Sequence, residues 1–211
     1  MSVIKLLASS LDRRDDNPNQ ELAIKIIKTK KTDWIKELVA NLENDDKNIQ
    51  SDCIKVLYEI GERGSAELIA PYYKEFGKIL RSRNNRLVWG TMTALDTITP
   101  INPQNVSQLL PEIVEALDEG SVITVDHGVS ILATLSSISK YTKVAFPLLM
   151  KQLSRCAGKQ LPMYAEKSLI AITSSNRKQF LGLLKERYSE LENASQIKRI
   201  DKVIKKINNA A

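Results

Sequence analysis

The chain has 211 residues, 43% of them hydrophobic and 5% aromatic, with a formal net charge of +6 at pH 7. That hydrophobic content argues against wholesale disorder, and the scarcity of rings argues against an interior or binding surface built mainly on aromatics. The two cysteines, Cys53 and Cys156, stand far apart, which disfavours a disulfide framework or a metal-ligand spacing and makes a reducing cytoplasm the expected location.

The first residues, Met1-Ser-Val-Ile-Lys-Leu-Leu-Ala-Ser-Ser-Leu11, are interrupted by Lys5 and followed by Asp12-Arg13-Arg14-Asp15-Asp16. They read as a short amphipathic helix rather than a signal peptide. No later apolar run approaches membrane-spanning length, so no membrane partner is expected. From here the hydrophobic pattern predicts pairs of helices, A and B, in six units. The pairs are 2–11 with 18–30, 32–44 with 47–61, 65–82 with 84–98, 104–119 with 122–139, 142–157 with 160–174, and 177–192 with 195–208. Asn17 is the expected N-cap of the first B helix, with Pro18 at its first position. Thr32-Asp33 opens the second pair, and Gly61 and Gly64 close it.

The pairs share a register. Leu57-x-x-Ile60, Leu95-x-x-Ile98, Leu132-x-x-Leu135 and Leu169-x-x-Ile172 begin 38, 37 and 37 residues apart. Four residues before each key leucine stands a small residue: Cys53, Thr91, Gly128 or Ala165. It lets helix B approach its neighbour closely. Further back stand Leu42, Leu80, Leu117 and Leu153, on the inner face of helix A. Pro71, Pro111 and Pro147 fall inside the predicted A helices and suggest a shared kink. The period marks an all-α fold, an α-α superhelix of about six helical hairpins, in which each unit buries its apolar face against its neighbours. It is expected to be a single domain over 1–211, with units at approximately 1–31, 32–64, 65–102, 103–140, 141–176 and 177–211.

Paired helices of this length, a proline in helix A and an apolar Leu-x-x-Ile end to helix B resemble HEAT repeats, relatives of armadillo repeats, over essentially the whole chain. The Asp and Arg that many HEAT repeats carry near the turn are irregular here, where only Asp45/Asp46, Asn84/Asn85/Arg86 and Asp126 come near that pattern. The resemblance implies a curved solenoid with B helices lining a concave binding side and A helices the convex side.

On that arrangement, helical periodicity assigns the exposed positions of the B helices. They are Asp52, Lys55 and Glu59, then Arg86, Trp89, Thr93 and Thr97, then Asp126, His127, Ser130 and Thr134, then Met163, Tyr164 and Lys167. Arg86, Trp89, Asp126, His127, Tyr164 and Lys167 form the candidate binding set, mixing large, polar and charged groups as binding hot spots do. Trp89 is either an exposed anchor or a filler between units. Trp34, near the start of a helix A, reads as packing. His127, the only histidine, adjoins Asp126, but adjacent helical residues do not face each other, so the pair is no catalytic dyad.

The charge is uneven: −1 over 1–64, +2 over 65–103, −4 over 104–141 and +9 over 142–211. The basic third contains Arg177-Lys178, Lys185 and Arg187, and then a stripe of Lys198, Arg199, Lys202, Lys205 and Lys206. Such a stripe is either a site for phosphates or a solvated cap whose lysines complement the final helix dipole. No phosphate loop, nucleophile elbow, metal-ligand spacing or cofactor motif occurs. The leading expectation is therefore a non-enzymatic scaffold presenting its groove to a protein or peptide. The alternative is nucleic-acid binding through the basic third. A remote third is a base-excision enzyme, since some alkylpurine DNA glycosylases are similar HEAT-like stacks; Trp89, Tyr164 and Asp126 would then have to line the groove. Fold-level similarity alone does not license that activity.

Overall fold

Asp46 and Asn84 start two of the helices because their side-chain oxygens satisfy N–H groups that the first helical turn leaves open. Asp46 accepts from the backbone N–H of Asn48 at 2.8 Å, and Asn84 from that of Leu87. The computed structural model describes residues 2–209. Among them are twelve α-helices and no strand. They are α1 (Asn17–Thr29), α2 (Thr32–Ala40), α3 (Lys47–Ile60), α4 (Tyr73–Ile79), α5 (Asn85–Ile98), α6 (Pro103–Ser107), α7 (Leu110–Glu119), α8 (Val122–Ser136), α9 (Ser139–Arg155), α10 (Leu161–Ser168), α11 (Arg177–Glu186) and α12 (Ala194–Asn209).

The chain divides into two compact units, one ending at Gly128 and the other beginning at Val129. In the first, the B helices α1, α3 and α5 pack side by side. The A helices form the opposite layer: α2 packs on α3, and α4 on both α5 and α7. In the second unit, α10 packs against α9 and α12, and α11 against α9 and α12. Helices alternate between two layers within each unit, as helical hairpins require.

The predicted register matches the core, except that Leu169 and Ile172 of the fourth motif are only half-buried. Leu57, Leu95 and Leu132 are wholly buried, as are Cys53, Thr91 and Ala165 of the small-residue column, and Leu42, Leu80, Leu117 and Leu153 are buried too. Gly128 shows why that column is small. A Cβ there would lie 2.3 Å from Leu117 Cδ2, too close for any side chain without a shift. The chain leaves α3 through a turn at Gly61–Ser65, in which Gly64 takes a left-handed φ of 81°, a conformation that favours glycine.

Several expectations are corrected. The predicted helix 2–11 is two 3₁₀ turns, Val3–Leu6 and Ser9–Leu11. Side chains from elsewhere take the N–H groups that a continuous helix would use. Asn19 accepts from Ala8 at 3.0 Å and Asp52 from Ser9 at 2.7 Å, while Glu37 accepts from Val3 at 3.0 Å. Asn17 is the first helical residue rather than the cap, and Asp16 precedes the helix. Of the three prolines only Pro147 stays inside a helix. Pro71 and Pro111 each open a new helical segment, because a residue without an N–H fits the first turn and interrupts an interior. The predicted helix 160–174 ends early: α10 stops at Ser168, a 3₁₀ turn covers Leu169–Ala171, and Ile172 is extended.

Candidate functional site

The α1–α3–α5 layer carries one connected set of polar and aromatic contacts. It is built on Lys55 and on Tyr58 and Glu59, each about one turn further along α3 and both largely buried. Lys55 Nζ lies 2.7 Å from Glu59 and 3.7 Å from Asp16 at the head of α1. Glu59 also pairs with Arg63 at 3.0 Å. Its residue is only 7% exposed, and two cations offset the cost of burying its charge. Arg86 at the start of α5 reaches the second Asp16 oxygen at 3.7 Å and stays 60% exposed at its side chain. Asp16 thus ties the first turn of α1 to both α3 and α5.

The aromatic contacts follow from the same register, with Tyr58 only 6% exposed. The Tyr58 and Trp89 rings stand 5.6 Å apart at 50°, and the Lys55 ammonium lies 4.7 Å from the Tyr58 ring centroid. Burial pushes the Tyr58 phenol up, while Lys55 opposes it. Burial alone would lower the Lys55 ammonium, yet its contacts with Glu59 and Tyr58 leave it raised. Trp89 is half-buried. It fills the seam between α3 and α5 and still presents part of its indole. Trp34 lies instead on α2, with the Lys31 ammonium 4.1 Å from its ring.

His127, near the start of α8, meets Asp96 of α5, with Nδ1 2.8 Å from the carboxylate. Its sequence neighbour Asp126 is half-exposed. A neutral imidazole hydrogen-bonded in this way donates from Nδ1 and leaves Nε2 as an acceptor.

The remaining expectations divide. Arg86, Trp89, Asp126 and His127 all belong to the first unit and reach its surface in whole or part. Tyr164 does not: at 2% exposure it is among the largest wholly buried side chains, part of the second unit's core. Its expected place in a binding or base-stacking groove is corrected, because α10 turns that position inward. Lys167 is half-exposed. Thr93 is buried and hydrogen-bonds the Trp89 carbonyl at 2.9 Å. Asp52 is held by the amino-terminal turn and by Asn19 at 2.8 Å.

In the basic third, Arg187 is structural. At 8% exposure it donates to the carbonyls of Leu153 and Cys156, at 2.5 and 2.6 Å, closing the end of α9. Arg199 makes a two-pronged pair with Glu166 at 2.9 and 2.6 Å. Lys198, Lys202, Lys205 and Lys206 are exposed. No cluster of metal-ligating side chains occurs among the described residues, and no described helix is long and apolar enough to cross a membrane.

Asp16, Tyr58 and Asp96 were not among the sequence candidates. The signal for two of them lies in the repeat itself. Tyr58 and Asp96 each follow a key leucine, and each meets a residue five or six places before the next one, Trp89 or His127.

No family model matches the chain, and no curated protein matches it. Solved structures do match. An engineered protein aligns with a TM-score of 0.68 at 17% identity, covering 99% of this chain and 100% of its own. A second engineered protein aligns at 0.66 and 16% identity, covering 100% and 98%. A computationally designed armadillo repeat protein for modular peptide recognition aligns at 0.68 and 13% identity, covering 96% and 97%. The chain therefore has the fold of a helical-repeat protein, an armadillo-like α-solenoid. At these identities the likeness concerns the fold alone.

Proposed function

We propose that this chain is a non-enzymatic, cytoplasmic scaffold: one HEAT-like domain over 1–211 whose B-helix surface captures a protein or peptide segment. The observation that carries the reading is the ridge of Lys55, Trp89 and Arg86, with the buried Tyr58 packed against the indole. It offers a partly open indole beside an exposed guanidinium and a buried carboxylate already neutralised by two cations. Binding hot spots favour tryptophan and arginine in such settings. The likeness to a repeat protein designed for modular peptide recognition supports the same use of the fold.

Affinity capture from a native lysate tests this. A partner retained by the wild type should be lost with Trp89→Ala and weakened by Arg86→Ala, while Lys198→Glu with Lys205→Glu should leave it bound. Equal capture by all four proteins would remove this surface from consideration.

A second reading, nucleic-acid binding, is favoured by the four exposed lysines of α12. Anisotropy of labelled single- and double-stranded DNA and RNA separates the two readings. Phosphate-driven binding weakens steeply with salt and with the lysine reversals. Absence of binding at low salt rejects it.

A further inference from the structure

Tyr58 and Asp96, the residues just after key leucines Leu57 and Leu95, are each covered by a side chain from the next B helix. Tyr58 is met by Trp89 and Asp96 by His127. Ile170 follows Leu169 and holds the same register position in the second unit. It is 61% exposed, a large aliphatic side chain left open to water.

Ile170 lies on the wall of a groove of about 400 Å³, shared with Leu169, Ile172 and Ile207 and bounded by Arg177 and Lys206. The groove exists because α10 ends early. The 3₁₀ turn at Leu169–Ala171 and the extended Ile172 end the helical run, leaving Ile170 open beside the edge of the buried Ile207.

Two cations, Arg177 and Lys206, line the groove and no carboxylate does. Glu166, one turn before Ile170, is bound by Arg199. That hydrogen-bonded pair holds the Glu166 carboxyl below its usual range, and Lys202 and Lys206 lower it further. Three cations therefore gather around one carboxylate, and only Arg199 pairs with it. Among the described residues no carboxylate lies within ion-pair distance of Lys202 or Lys206.

We propose that this groove docks a short acidic segment of a partner protein. The segment places one bulky apolar side chain against Ile170, Ile172 and Ile207, with its carboxylates facing Lys202, Lys206 and Arg177. Charge complementarity selects an acidic partner, and the exposed aliphatic wall selects an apolar anchor. A nucleic acid fits less well, because the lining holds no aromatic ring for a base to stack on and Glu166 interrupts the run of cations. The site uses none of the Trp89 surface residues, so it extends the function proposed above and can fail independently of it.

The test uses the full chain and fluorescein-labelled octapeptides in which Leu, Ile or Phe stands one to four residues from a Glu pair. Matched peptides carry Ser at the apolar position or Lys in place of Glu, and a labelled oligouridine of equal charge is included. The expected result is a set of apolar-acidic peptides that bind roughly tenfold or more tightly than their Ser partners, the effect of burying one large aliphatic side chain. Ile170→Asp and Lys206→Glu should each remove most of that binding, while Trp89→Ala leaves it unchanged. Both altered residues are exposed, so thermal melting should match the wild type, and Ile170→Ser provides a milder second variant. No preference over the Ser peptides, or binding indifferent to both Ile170 variants, would overturn the proposal. So would tighter binding of oligouridine that responds to Lys206→Glu but not to Ile170→Asp, which would assign the face to nucleic acid.

Discussion

The indole of Trp89 packs against Tyr58 at 5.6 Å between ring centroids, with the two planes tilted by 50°. The contact joins α3 to α5, so Trp89 fills a seam as well as shaping a surface. Trp89→Ala should destabilise the protein by about 1–2 kcal/mol through the lost ring pair and its packing. Trp89→Phe should recover most of that. Urea melts measure both. A phenylalanine variant with near-wild-type stability but reduced partner capture would separate the binding role of the indole from its packing role.

Gly128 and Gly182 both sit in helices but should respond oppositely to alanine. At Gly128 the new Cβ would press on Leu117, itself buried against the core. Gly128→Ala should destabilise, and Gly128→Val should do so by about 1–3 kcal/mol, as overpacking does. At Gly182 in α11 nothing lies within 4 Å of the added carbon. There Gly182→Ala should stabilise by about 0.5–1 kcal/mol through helix propensity alone. Thermal melts of the two variants side by side decide the matter.

Glu166 and Arg199 form a well-aligned pair, with side chains 39% and 41% exposed. Solvent screening limits its contribution to less than about 1 kcal/mol. The Glu166 carboxyl is lowered from 4.5, first by the Arg199 hydrogen bond, so its stabilisation is present above that unfolded-state value and is lost as pH falls through the folded one. The stability difference between wild type and Glu166→Gln should therefore be constant near neutrality and shrink below about pH 4.5. A gap that widened on acidification would contradict the pairing.

The two thiols should differ in reactivity. Cys53 is wholly buried, and burial, aided by the charges of Asp52 and Glu37, pushes its thiol far up. Cys156 is half-buried; burial raises it too, but the Arg187 guanidinium opposes the shift. A thiol reagent at mildly alkaline pH should label Cys156 slowly in the native protein and Cys53 only on unfolding, since the thiolate is the reacting form. In Cys156→Ser, native labelling should vanish. Rapid labelling of that variant would show that the packing over α3 opens.

The sequence by itself determined the repeat. The spacing of Leu57, Leu95 and Leu132 and the small column at Cys53, Thr91, Gly128 and Ala165 read directly as buried positions, and Gly61 and Gly64 as the end of a helix. The buried positions are local requirements, set by helical periodicity, and they repeat because each hairpin meets the same kind of neighbour. Only the tertiary structure decided which residues face each other across that repeat. Asn19 and Asp52 turn the first segment from α-helix into 3₁₀ by taking its N–H groups. The position that leaves His127 half-exposed in one unit has a buried counterpart at Tyr164. Arg187, basic in sequence, becomes an internal cap for α9. Ile170, at a position covered elsewhere, is left open because α10 ends one turn short. Each of these outcomes depends on contacts between groups 11 to 43 residues apart or on where a helix stops, and packing sets both by choosing among conformations that local propensity leaves nearly equal in free energy.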